Sequence, residues 1–116
     1  MHDRIVHTVQ HRAQVYEAGG AVRAALSRKA AGAPAVREVM LATDDMLRTN
    51  LEQTFAPELG ALDGRTHLEM LSAIDVVTSW EAWERLRGAG LPESGARRVM
   101  ARALASLCAT QFRPAS

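Results

Sequence analysis

The run from Arg65 to Arg87 constrains this chain more than any other stretch. On a helical wheel Leu68, Met70, Leu71, Ala73, Ile74, Val76, Val77, Trp80 and Trp83 go almost all the way round. Only Glu69, Ser72 and Ser79, with Asp75 at the margin, trace a polar line. A helix apolar on most sides is buried on most sides. A chain of 116 residues is one ordinary domain with a single core, and such a helix is hard to cover there from one side. A second copy of the chain would cover it through an isologous two-fold interface, with four helices from two chains forming an intermolecular bundle. A homodimer is the expectation.

The remaining sequence also reads as helix. Aromatic residues make up 4 % of the chain against 47 % hydrophobic residues, a balance rich in alanine that favours close-packed helices over β-structure. A first segment runs from about Asp3 to Ala18, with Ile5, Val9, Ala13 and Tyr16 on one face. Gly19-Gly20 weakens or interrupts it. A second, Ala21 to Ala30, turns Val22, Ala25 and Leu26 inward and Arg23, Arg28 and Lys29 outward. Ala31 to Pro34 is a loop, since Gly ends helices well and Pro starts them well.

The third helix, about Ala35 to Phe55, is the clearest amphipath. Val36, Val39, Met40, Thr43, Met46, Leu47, Asn50, Leu51 and Phe55 share one face; Arg37, Glu38, Asp44, Asp45, Arg48 and Glu52 share the other. After a connection broken by Pro57 comes the fourth, Arg65 to Arg87. Gly88 to Pro92 then separates it from a fifth, about Pro92 to Gln111. That helix turns Ala96, Val99, Met100, Ala103, Leu104, Leu107 and Cys108 inward and Arg97, Arg98 and Arg102 outward. The expected fold is all-α: about five helices in one domain over residues 1–116, without internal repeats.

Charge and composition narrow the chemistry. Fourteen basic and 13 acidic residues leave a net charge of +1, so no broad basic field is present to hold a phosphate backbone. A single Cys, Cys108, rules out an internal disulfide and fits a reducing compartment. No apolar run approaches a membrane span, and Met1 to Arg4 is not followed by a signal-peptide apolar stretch. A cytoplasmic protein with no membrane partner is expected.

His7 and His11 have a chelating i, i+4 spacing, yet they fall in a solvated stripe with Arg4 and Gln14. His2 and His67 offer nothing better. No Glu is followed three residues later by His, as a di-iron carboxylate bundle needs. Cys108 sits on an apolar face, where thiols are inert. Ser72, Ser79 and Ser106 have no visible His–acid partners. There is no phosphate-binding glycine loop, and Arg97, Arg98 and Arg102 read as the wet side of a helix. Neither enzymatic activity nor a metal or cofactor is expected.

The last two helices carry a resemblance. Leu62-Asp63-Gly64-Arg65, Leu68 to Ile74, Thr78-Ser79-Trp80-Glu81-Ala82-Trp83 and Leu86 resemble the C-terminal region of TetR-family transcriptional regulators. So do Gly90-Leu91-Pro92-Glu93, Ala96 to Met100, Ala103-Leu104 and, upstream, Phe55 to Leu59. The pattern covers roughly the last two-thirds of the chain and extends less closely over Arg12 to Ala25. In that family a helix-turn-helix head binds operator DNA, and a helical body dimerises and holds an inducer. The resemblance implies that residues 1–60 enclose the effector pocket and residues 65–111 form the dimerisation pair. No such head is visible upstream of Asp3, so no direct nucleic-acid binding by these residues is expected.

Polar groups set in apolar faces mark the expected pocket. Thr43 and Asn50 lie two turns apart on the inner face of the third helix, where a buried amide must find partners. Tyr16 aims its hydroxyl at the same space, and Met40, Met46 and Met70, with Leu47 and Ile74, supply adaptable lining. Trp80 and Trp83, at helical spacing, read as packing anchors rather than ligand-stacking groups. With Val76, Val99, Met100, Ala103, Leu104 and Leu107 they form the expected dimer interface. The expected ligand is a small apolar effector that alters dimer geometry. The alternative is a helical protein-interaction module with a filled core and no small-molecule ligand.

Overall fold

A computed structural model describes residues Met1–Gln111; positions 112–116 of the expected unit lie outside the described residues. All regular structure among the described residues is helical: α1 (His2–Ala30), α2 (Pro34–Thr54), the single turn α3 (Ala56–Leu59), α4 (Gly64–Val77), α5 (Trp80–Gly88) and α6 (Glu93–Gln111). No helix among them is long and apolar enough to cross a membrane. With 29 residues, α1 is about 44 Å long and runs between α2 and α6, touching α5; α4 packs on α2 and α6.

The core forms where α1 crosses the others. Ile5, Val9, Ala13 and Tyr16, one stripe of α1, meet Leu51 of α2, Phe55, Leu59, Met70, Leu71 and Ile74 of α4, Trp83 of α5, and Ala96, Met100, Leu104 and Cys108 of α6. Caps set the helix ends. Asp63 accepts from the Thr66 amide at 2.8 Å at the start of α4, a bond that holds its carboxyl below the usual range. Gly90, at φ +99°, makes the left-handed turn from α5 to α6 that other residues adopt only with strain.

The helices divide differently from the sequence expectation at two places. First, Gly19-Gly20 does not break the chain, and the first two expected segments are one helix. A Cβ on Gly20 would stand 3.3 Å from Cη2 of Trp80. The missing side chain is what lets the indole lie on the helix. That packing outweighs the roughly 1 kcal/mol by which each interior glycine disfavours helix.

Second, the expected helix Arg65–Arg87 is two helices. Thr78, fully buried, returns its Oγ1 to the Ile74 carbonyl at 2.8 Å. Ser79 is extended (φ −74°, ψ 163°) and accepts from the Ala82 amide, capping α5. The all-round apolar wheel thus resolves into two helices burying different faces. Met70, Leu71 and Ile74 are buried in α4 and Trp83 in α5. Only Leu68 and Val76 stay exposed, at 58 % and 67 %. The chain itself therefore covers most of the surface that the helical wheel assigns to a partner.

Faces are also rotated. On α1, Val22 points out and Arg23 is half-buried; on α2, Asp44 and Arg48 turn inward while Val39, Thr43, Met46 and Asn50 are exposed. The reason is pairing. Arg23 binds Asp44 at 2.7 Å, and Arg48 reaches Ser72 at 2.9 Å and Asp75 at 3.3 Å. Charged groups with partners can face a neighbouring helix.

One polar contact ties α1 to α5. Trp83, 1 % exposed, donates its indole N–H to Glu17 Oε2 at 2.9 Å, and Arg87 donates to Oε1 at 2.9 Å. The Trp83 bond, helped by Arg87 against desolvation, lowers the Glu17 pKa. A depressed carboxylate contributes stability above its unfolded pKa and loses it as pH falls through the folded value. Glu17→Ala, which leaves the buried indole unpartnered, is expected to cost about 1–3 kcal/mol in urea unfolding at pH 7. Glu17→Gln, which retains an acceptor, should cost less and flatten the loss of stability below the usual carboxylate range.

Candidate functional site

The second half of α1 and the first half of α2 diverge above the core and leave a cleft of about 330 Å³, within the range of small-molecule sites. Val15, Tyr16, Gly19, Val22, Arg23 and Leu26 of α1 form one wall, Val39, Met40, Thr43 and Leu47 of α2 the other, and Trp80 the end. Gly19 opens the space, since a Cβ there would meet nothing within 4 Å. Val22 and Val39, 64 % and 58 % exposed, stand at its mouth.

The floor is polar and anchored. Tyr16, 3 % exposed, donates to the Thr78 carbonyl at 2.7 Å and meets Trp80 edge-on, ring centres 5.8 Å apart. Burial raises its pKa, and the nearby Arg12 and Arg23 charges oppose that rise. A second cleft, also about 330 Å³, shares Tyr16, Leu47 and Trp80 with the first and adds Arg12, Asp44, Asp75, Val76, Ser79 and Glu81. Arg12 is 1 % exposed; its Nη2 donates to the Leu47 carbonyl at 2.6 Å, while its Nε has no partner.

Of the residues expected to bind ligand, Tyr16, Met40, Thr43 and Leu47 come together around the cleft. Asn50, Met70 and Ile74 do not. Asn50 is exposed two turns along α2 from Thr43, outside the cleft lining, while Met70 and Ile74 are buried in the core, 6 % and 0 % exposed. Thr43, exposed at the rim, returns its hydroxyl to the Val39 carbonyl at 3.0 Å.

The expected dimer residues separate as well. Val76 and Val99 are exposed; Trp80, Ala103 and Leu107 are half-buried; Trp83, Met100 and Leu104 are 1 %, 1 % and 0 % exposed within the single chain. The last three are filled by their own core and have no free surface for a partner.

Arg12, Gly19, Arg23 and Trp80, with the apolar wall residues Val15, Val22, Leu26 and Val39, are among the lining residues that sequence reasoning missed. The usable signal was the glycine pair, a bare patch seven residues beyond Arg12 and one turn beyond Tyr16. Elsewhere His7 and His11 are exposed. Burial pushes the Cys108 thiol up, which disfavours the reactive thiolate. No cluster of metal-ligating side chains occurs among the described residues. Compared with family models, curated proteins and solved structures, the chain matches none.

The two adjacent glycines should respond oppositely to a methyl group. Gly19→Ala, entering open space on a helix, is expected to raise stability by up to about 1 kcal/mol. Gly20→Ala must push the Trp80 ring aside and should give no gain or a net loss. Urea unfolding of both variants, with tryptophan fluorescence as the readout, measures this.

Proposed function

We propose that this chain is the effector-binding and dimerisation body of a TetR-like transcriptional regulator, and that its effector sits in the cleft between α1 and α2. The observation that carries the reading is the cleft itself: an apolar space bounded by Val15, Leu26, Met40, Leu47 and Trp80, kept open by Gly19. A ligand there would touch the α1 segment that Arg23 links to Asp44 of α2 and, at 3.8 Å, to Glu81 of α5. Differential affinity for two spacings of these helices would shift their populations. In a dimer, that shift would alter the separation of attached DNA-binding heads and hence operator affinity.

For dimerisation the supporting feature is the exposed apolar surface of Leu68 and Val76 on α4 and Val99 on α6. The buried Trp83 takes no part in it. The rival reading, an interaction module without a ligand, differs in that no small molecule should stabilise it.

Thermal shift against a library of small apolar molecules tests the proposal. At a hundred times its Kd a ligand adds about 2.7 kcal/mol, a rise on the order of 10 °C for a chain of this size. Gly19→Leu, whose Cβ enters open space and whose side chain occupies the cleft, should abolish that rise. Absence of any stabilising ligand would overturn the sensor reading. In the same samples, sedimentation should show a dimer that Val76→Asp or Val99→Asp converts to a folded monomer; a native monomer at micromolar concentration would contradict dimerisation.

A further inference from the structure

We infer that the ligand of the α1–α2 cleft is an amphipathic monoanion, a carboxylate with one apolar tail, and that Arg12 receives its head group. The inference rests on the cleft being a ligand site and adds the chemistry of what fills it. Its basis is a charge without a counter-ion. Arg12 lies 1 % exposed in the wall of the second cleft, and among the described residues no carboxylate stands within 4.0 Å of it. Its Nη2 donates to a neutral carbonyl, that of Leu47, its charge also acts on the neighbouring Tyr16 phenol, and its Nε is buried without a partner. A buried guanidinium left in that state is costly.

The other charges around the same cleft are already matched. Asp44 is held by Arg23 at 2.7 Å, Glu81 stands 3.8 Å from Arg23, and Asp75 is 3.3 Å from Arg48. Arg23 also leaves its Nε without a partner, but its guanidinium already faces the carboxylates of Asp44 and Glu81; among the described residues Arg12 is the buried lining cation without a counter-ion. A carboxylate matches the planar fork of a guanidinium in shape as well as charge. The three acidic residues also limit what may enter. Even paired, they make the cleft less favourable to a dianionic phosphate than to a singly charged carboxylate, since repulsion grows with the ligand's charge. From Arg12, the shared wall of Tyr16, Leu47 and Trp80 leads to the apolar cleft between α1 and α2, which suits an uncharged hydrocarbon tail.

The experiment compares three probes of equal tail length on the native protein, below their micelle concentrations: decanoate, 1-decanol and decyltrimethylammonium. Binding is followed by calorimetry and by tryptophan fluorescence. Decanoate is expected to bind about 10- to 100-fold more tightly than 1-decanol, the range of one charge-assisted hydrogen-bonded contact, and the cation most weakly. Arg12→Met should fold with equal or greater thermal stability, because it removes an unpaired buried charge, while decanoate loses its advantage over the alcohol.

Equal binding of decanoate and 1-decanol by the native protein, or preference for the cation, would overturn the assignment of Arg12 while leaving the cleft a ligand site. No binding of any of the three, with Gly19→Leu unchanged in every assay, would overturn both. Should Arg12→Met fail to fold, the selectivity of the native protein alone decides.

Discussion

The indole of Trp80 lies on α1 where the helix has no side chain to hold it away. Beside it, the buried phenol of Tyr16 meets the same ring and donates to the Thr78 carbonyl at 2.7 Å. Together these contacts fasten the middle of α1 to the corner between α4 and α5. Below the corner, Ile5, Val9 and Ala13 run into the shared core. Beyond it, the free half of α1 faces α2, with Arg23 reaching back to Glu81 of α5, and the cleft opens there. Moving the corner would move both the floor of the cleft and the end of the core, so packing and any binding share one anchor.

The periodic apolar positions made the helices legible from sequence, and Ile5, Val9, Ala13 and Tyr16 lie on the face that their spacing predicts. What the sequence could not reveal was decided by contacts distant along the chain. Gly19-Gly20 reads locally as a break, and only Trp80, 60 residues on from Gly20, explains why the helix continues. Thr78-Ser79 sits inside an apolar helical pattern, and its role as a corner depends on side-chain bonds that ordinary periodicity does not register. The α2 face was misplaced for a similar reason. A helical wheel assigns Asp44 and Arg48 to water, but their partners on α1 and α4 bring them inward, and Asn50 is carried out to solvent as a result.

The charged groups around the corner form a connected set. Arg23 bridges α2 and α5, Arg48 bridges α2 and α4, and Glu17 joins α1 to Trp83 and Arg87 of α5. Apart from the Trp83 bond, partly exposed ion pairs of this kind contribute little stability individually. Their geometric effect is larger, since each fixes a register between helices that meet at the cleft. Arg12 stands inside this set without a carboxylate of its own.

The central claim is that small molecules enter the cleft next to Trp80 and leave the core around Trp83 undisturbed. The protein has two tryptophans, so its ¹H–¹⁵N spectrum contains two indole resonances, which Trp80→Phe assigns. Titration with decanoate should move the Trp80 indole resonance saturably while that of Trp83, held on Glu17, stays in place. An unmoved Trp80 resonance at saturating concentration, or equal displacement of both, would contradict the account.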